Sequence, residues 1–295
     1  MELVVPAGTD NLLRDLVQDH TGMIFDSEKS DLLLDKLSPL VIERGFHSFL
    51  DYYYLLKYDE NSETEWKKVL DTISVQETFF WREMDQINSL VDILVPEWAE
   101  KNNGRPLQIW SAACATGEEP LTIAMALSEA GWFNRIPIKI MATDASPSAL
   151  TKARKGLFRD RAFRNLPLAM RNKYFKKEGN SWLVDPTLHS RVSWNSANLV
   201  NRNEIAQLAE VPFIFCRNVF IYFSSDTIRR VVRTFADHIK GPAYLFVGVS
   251  ESLLKISNEF ELITVGNAFA YKLASTNGHS PGLGQAELAT LKGRK

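Results

Sequence analysis

Glu118 and Glu119 directly follow a run of small residues, Ala112-Ala113-Cys114-Ala115-Thr116-Gly117, and Asp144 stands 27 positions after Gly117. Small side chains let a ligand approach the backbone. An acid at the end of the next strand suits ribose hydroxyls, and Asp144 equally suits the cap of a helix beginning near Ser146. Two carboxylates at this turn repel a pyrophosphate and attract a cation, such as the sulfonium and amino group of S-adenosylmethionine. The turn lacks both a dinucleotide fingerprint and a P-loop lysine with its serine partner. That moves the reading from hydride or phosphoryl transfer toward methyl transfer.

Other polar residues fall where they could serve the same cleft. Arg217 and Asn218 end a strongly apolar strand over 212–216, in the crevice region of an open sheet. Asn198 either contacts a base edge or forms a turn. Tyr222 lies in the apolar run 219–223, where a buried hydroxyl needs a partner. The segment 74–83, SVQETFFWRE, sets Gln76, Thr78 and Arg82 beside three aromatics. Arg82 either orients a carboxylate with its fork of donors or makes a surface ion pair. Gln76 and Thr78 suit a ligand's carboxylate or amine, or else a capping role. Phe80 reads as cement between two domains.

The elements that must position these residues follow from periodicity. Apolar repeats predict helices over 9–18, 30–42, 46–58 and 62–73, a small helical domain at 1–74. Thr9 or Asp10 is the expected cap of the first helix, Pro39 is expected to kink or divide the second, and Ser62 with Glu65 has capping-box spacing in the fourth. Leu32, Leu33, Leu34, Leu37 and Leu40 are expected to give the second helix one broad buried face. A linker and connecting helix follow over 75–100, with a break at Pro96. Residues 101–274 alternate strand and helix: a strand at 107–111, a helix opened by Pro120, a strand at 138–143, and later strands at 191–194, 212–216 and 243–249. A terminal hairpin is expected over 260–265 and 269–273. Aromatic and basic residues around Gly179-Asn180 suggest a small inserted β-subdomain near 170–190. The stretch 275–295 reads as a flexible tail.

Composition narrows the class. The chain has 295 residues and a formal net charge of -2. Without a basic excess, nucleic acid is a poor candidate partner. Cys114 and Cys216 belong to no paired motif, so reduced thiols in a cytoplasmic protein are expected. No run is long and apolar enough for stable membrane insertion, and the five scattered histidines suggest no metal site. A monomer is expected.

Several motifs in register resemble those of the CheR chemotaxis receptor methyltransferase family. They are SVQETFFWR at 74–82, WSAACATGEEP at 110–120, ATD at 142–144, NL at 198–199, FIFCRNVFIYF at 213–223 and GVSESL at 248–253. The resemblance implies an α/β fold: the Rossmann-like sheet of S-adenosylmethionine-dependent methyltransferases, with a small N-terminal helical domain and an inserted β-subdomain. It implies a protein-glutamate O-methyltransferase that forms γ-methyl esters on the cytoplasmic region of a chemoreceptor, in chemotaxis signal transduction. S-adenosyl-L-methionine would be the cofactor and S-adenosyl-L-homocysteine the product. By motif, Gln76 and Thr78 would meet the methionine end and Glu118 or Glu119 its amino group. Asp144 would meet the ribose and Asn198 the adenine. Arg217 and Asn218 would close the pocket, with Ala112 in the cofactor turn. Arg82 and Tyr222 would lie beside the transferred methyl group.

The sequence departs from the family pattern at Gln76 (usually asparagine), Ala113 (often glycine), Trp81, Val249 and Pro39. The second helix is weakly basic, and the stretch between Phe175 and Val192 is short for a subdomain that grips a receptor's C-terminal peptide. A member that needs no such tether is expected. Two other readings are a catalytically weak cofactor-binding signalling module and a methyltransferase for a receptor-like protein of a non-chemotaxis pathway.

Overall fold

The structure is a computed structural model and describes residues 3–274; the tail expected over 275–295 lies outside the described residues. Four helices come first: α1 (Thr9–Thr21), α2 (Ser30–Glu43), α3 (Phe49–Tyr58) and α4 (Ser62–Ile73). Their apolar stripes, including Leu13, Val17, Leu33, Leu37, Tyr52 and Val69, are fully buried against one another. Complete burial of each leucine contributes about 2 kcal/mol of transfer free energy.

Local expectations fail here where packing offers better partners. Gly8, in the left-handed region, precedes α1 without a side-chain cap; Thr9 is buried in the first turn, and Asp10 accepts from Ser30 Oγ at 3.3 Å. The α2 helix runs unbroken through Pro39, because Leu37, Leu40 and Val41 anchor it on both sides of the ring. Leu32 is exposed, so the buried face is narrower than expected. No capping box forms at α4. Glu65 turns inward and accepts from Tyr52 Oη at 2.9 Å and Arg44 Nε at 2.8 Å. A buried tyrosine hydroxyl demands such an acceptor.

Residues 74–83 then run without regular structure to α5 (Met84–Ser89). A wide π-turn, Leu90–Leu94, leads into α6 (Val95–Asn102). Pro96 therefore does not break the helix; the looser turn before it gives the ring room against the preceding carbonyls.

The main sheet has seven strands: β1 (Leu107–Ala112), β2 (Ile138–Asp144), β6 (Val192–Ser196), β7 (Phe213–Phe215), β8 (Tyr244–Phe246), β9 (Phe260–Val265) and β10 (Ala268–Leu273). Their order is β6-β2-β1-β7-β8-β10-β9. All neighbours are parallel except β10, which is antiparallel to β8 and β9. In β1, Leu107 and Ile109 pack into one apolar layer while Trp110 and Ala112 pack into the other. Helices α7 (Glu118–Glu129) and α8 (Pro147–Lys155) follow β1 and β2 as crossovers. The chain order reverses between β1 and β7, which is where such sheets bind ligands. This is the Rossmann-like methyltransferase fold with a helical cap. A second antiparallel sheet joins β3 (Leu157–Phe158), β5 (Ser181–Val184) and β4 (Phe175–Glu178). Phe80 is fully buried against its aromatics, 4.8 Å from Phe158 and 5.0 Å from Phe175 between ring centroids. Phe80 thus cements the junction to the small sheet, and not to the helical bundle. Among the described residues no helix is long and apolar enough to cross a membrane.

Candidate functional site

A cleft opens at the C-terminal ends of β1, β2, β6 and β7, closed on one side by residues 74–82 and by the end of α1. Nine of the candidate residues line it: Gln76, Thr78, Arg82, Glu119, Asp144, Asn198, Arg217, Asn218 and Tyr222. Ala112 and Glu118 do not. Ala112 is fully buried in β1, inside an apolar layer. Glu118 is buried and accepts from Thr116 Oγ1 at 2.6 Å. The structure thus separates the acidic pair that sequence could not.

Asp144 ends β2 half-buried. Its two oxygens accept from the backbone N–H groups of Ala115 and Ser146, each at 2.8 Å. Ser146 Oγ, not Asp144, caps the side chain-bonded start of α8, accepting from Ala149 N at 3.1 Å. Burial raises the Asp144 pKa, partly offset by those amides. Glu119 accepts from Ser111 Oγ at 2.7 Å and lies 3.6 Å from Arg217. Burial raises its pKa too, and Arg217 opposes the shift.

Arg217 is almost wholly buried. It donates to the Arg82 carbonyl at 2.8 Å and pairs with Glu83 at 3.0 Å, while its Nε is buried without a partner. Asn218 donates its N–H to Glu251 at 2.7 Å and its Nδ2 to Glu83 at 3.4 Å. Arg82 donates to the Glu77 carbonyl at 3.2 Å and lies 5.4 Å from the centre of the Phe79 ring. Tyr222 is half-buried, and its hydroxyl, like that of Thr78, has no partner among the described residues. Burial raises the Tyr222 pKa and the Arg82 charge opposes the rise; the phenol is therefore protonated near neutral pH.

Two candidates are engaged internally. Gln76 donates to Ser146 and Ser148 at 3.1 Å each and accepts from Lys152 at 2.9 Å. Asn198 donates to the His20 carbonyl at 2.7 Å and accepts from Val200 N at 3.3 Å, so it both forms the turn and ties α1 to the sheet. The cap closes further through Ile24 N–H on the Tyr222 carbonyl at 2.8 Å.

Sequence reading missed Glu77, Glu83 and Glu251. Glu77 lines the cleft. Glu251 accepts from the N–H groups of Asn218, Gly248 and Ile221 at 2.7, 2.6 and 3.1 Å, fixing the loop that carries Tyr222. Gly248 had a signal in being a glycine: a Cβ there would stand 2.4 Å from Asn218 Nδ2. Trp81, Glu83, Ala113, Ala115 and Asn218 all hold left-handed backbone, with φ of 67°, 53°, 59°, 47° and 59°. Strained residues gathered around one cleft mark a site whose shape is held by its surroundings. At Ala113 the same φ explains why a glycine would be at home there. Among the described residues no group of acids, histidines and cysteines could hold a metal ion.

Comparison with known proteins bears on both regions. Residues 76–269 match the family model described as CheR methyltransferase, SAM binding domain, and residues 10–74 match CheR methyltransferase, all-alpha domain. The chain is 34% identical over 253 residues to chemotaxis protein methyltransferase 2 of Vibrio cholerae, covering 84% of this chain and 87% of that one. It is 30% identical over 267 residues to chemotaxis protein methyltransferase 1 of Pseudomonas aeruginosa, covering 88% and 96%. A solved magnesium protoporphyrin IX methyltransferase from Synechocystis with bound SAM is 15% identical, with a TM-score of 0.33 over 75% of this chain and 91% of that one.

Proposed function

Because the chain belongs to the CheR methyltransferase family and so uses S-adenosylmethionine, we propose that it methylates glutamate side chains of a chemoreceptor's cytoplasmic region, forming γ-methyl esters. The observation that carries the reading is the composition of one cleft. Acids lie along its sheet side, while Arg82 and a free Tyr222 hydroxyl lie along its mouth. The residues fit the cofactor. Asp144, held by two amides, is ready for ribose hydroxyls. Glu119 supplies the negative charge that a cationic ligand needs. Arg217, which lines the cleft, offers positive charge to the carboxylate of the methionine end, and Thr78 offers that end a hydroxyl.

Bound there, the cofactor supplies a methyl group made electrophilic by the sulfonium. The chain's own residues have a positional task. A glutamate carboxylate is already ionised near neutral pH, so no general base is required. Arg82 aligns it with a guanidinium steadied by the Phe79 ring and the Glu77 carbonyl. Tyr222, protonated, donates a hydrogen bond to the same group. Both interactions also bind the ground state, so their benefit lies in orientation. Acceptors lacking the tethering C-terminal peptide are substrates in this reading, supported by the brevity of β3, β4 and β5.

The test is transfer from methyl-labelled S-adenosylmethionine to a receptor cytoplasmic fragment, with and without its C-terminal tail. Label released as methanol by mild base identifies an ester. Label that survives base, or no transfer to any carboxylate, defeats the glutamate reading. Dependence on the tail defeats only tether independence.

A further inference from the structure

Three guanidinium groups converge on residues 77–79 at the rim of the cleft. Arg161 pairs with the Glu77 carboxylate, and Arg164 Nη2 donates to its other oxygen at 3.0 Å. The Arg164 guanidinium lies 3.7 Å from the centre of the Phe79 ring. Arg82 reaches the same ring and the Glu77 carbonyl. Glu77, Phe79 and Arg82 all line the cleft. The Glu77 carboxylate thus faces two permanent cations, Arg161 and Arg164, while Arg82 has its own carboxylate in Glu83 at 3.9 Å, so the rim keeps an excess of positive charge on the Arg161 and Arg164 side. Arg161 is 74% exposed and Arg164 40%. Each guanidinium carries five donors and directs a single one at Glu77, so most of the fork remains open to solvent. Stacking on Phe79 holds Arg164 in place before any partner arrives.

Among the described residues, α2 offers no comparable surface. Asp31, Asp35 and Glu43 lie along α2, and Lys36 is turned inward to the Thr72 carbonyl at 3.2 Å.

We propose that Arg161 and Arg164 are specificity-determining residues that read a second carboxylate on the acceptor, near the glutamate presented to Arg82. The partner is an acidic helical segment with carboxylates about one turn apart, the spacing that puts two side chains on one face. The proposal rests on the glutamate reading given above and narrows its substrate class. Glu77 serves as the internal stand-in that the acceptor's carboxylate joins or displaces.

The probes are two helix-forming synthetic peptides. One carries glutamates at i and i+4; in the other the second glutamate is Gln. Binding to the S-adenosylhomocysteine-loaded full chain is read by fluorescence polarisation, and transfer is read separately with labelled S-adenosylmethionine. The diacidic peptide is expected to bind about tenfold tighter than its Gln partner at low salt, an advantage that shrinks as salt rises. Arg161→Gln with Arg164→Gln is expected to erase that advantage, with unchanged S-adenosylhomocysteine affinity and unchanged melting temperature. KM should rise while kcat stays. Equal binding of the two peptides by the parent, or an advantage that survives in the double variant, overturns the proposal. Diacidic binding that is lost in the double variant, without base-labile label transfer, upholds the rim and instead defeats the glutamate reading.

Discussion

The interior of the helical cap and the mouth of the cleft treat polar side chains in opposite ways. In the cap, Glu65 is sealed from solvent, and Tyr52 and Arg44 both point at it. At the cleft, Arg217 keeps a buried Nε without a partner, and the Tyr222 and Thr78 hydroxyls face open space. Folding alone favours the first arrangement, since an unsatisfied buried donor costs about 1–3 kcal/mol. The second persists because the surrounding sheet is stable enough to hold it. A buried unpartnered nitrogen does not by itself mark the cleft, since Arg14 Nε in α1 shares that state; what sets the cleft apart is that its unpartnered hydroxyls line open space.

Substitutions can break that contrast or sharpen it. The largest effect is expected from Asp144→Asn, which leaves one acceptor oxygen for two amides and removes the charge. Affinity for S-adenosylmethionine per folded molecule should fall about a hundredfold by calorimetry, beside a stability loss of about 1 kcal/mol from the amide left without its acceptor. A parent-like affinity would remove Asp144 from the cofactor site. Arg82→Ala should lower kcat/KM for methyl transfer about a hundredfold with near-normal cofactor binding. Unimpaired transfer would leave Arg82 a surface residue.

Glu65→Gln should do the reverse of the cleft variants. Denaturant titration should show a loss of about 2 kcal/mol, with cofactor affinity per folded molecule unchanged. Tyr222→Phe removes one hydrogen bond and should lower kcat about tenfold without a stability loss. The smallest effect concerns pH. Burial raises the pKa values of Glu119 and Asp144, so acidification from neutrality protonates them sooner than in the unfolded chain. Their contribution to stability then falls as pH rises through the folded values and recovers as pH drops. Affinity for the cationic cofactor should move oppositely, weakening on acidification. Neutral S-adenosylhomocysteine should weaken less, and equal pH dependence of the two would discard the charge argument.

Much of this was legible in residue order. The run from Leu107 to Pro120 announced a strand, a tight turn and a helix, and Asp144 announced the end of the next strand, because these features depend on neighbours in the chain. The local signals at Ser62 with Glu65, Pro39 and Pro96 misled. A capping acid, a kink and a break each lost to packing partners distant in sequence: Tyr52 and Arg44 for Glu65, the leucines flanking Pro39, and the π-turn before Pro96. Glu83 and Glu251 went unread for the same reason. Their partners, Arg217 and the Asn218 loop, lie more than thirty positions away.

By itself, then, the sequence determined the elements, their alternation, the acidic turn and the family, since periodicity and contiguous motifs are properties of adjacent residues. Tertiary structure alone chose Glu119 over Glu118 for the cleft. It withdrew Gln76 into bonds with α8 and bound Asn198 to the cap. It also gathered Arg82, Arg161 and Arg164 around one phenylalanine. Which way a side chain faces, and whether a polar group already has a partner, depends on the elements packed across from it, and those are fixed only when the chain closes on itself.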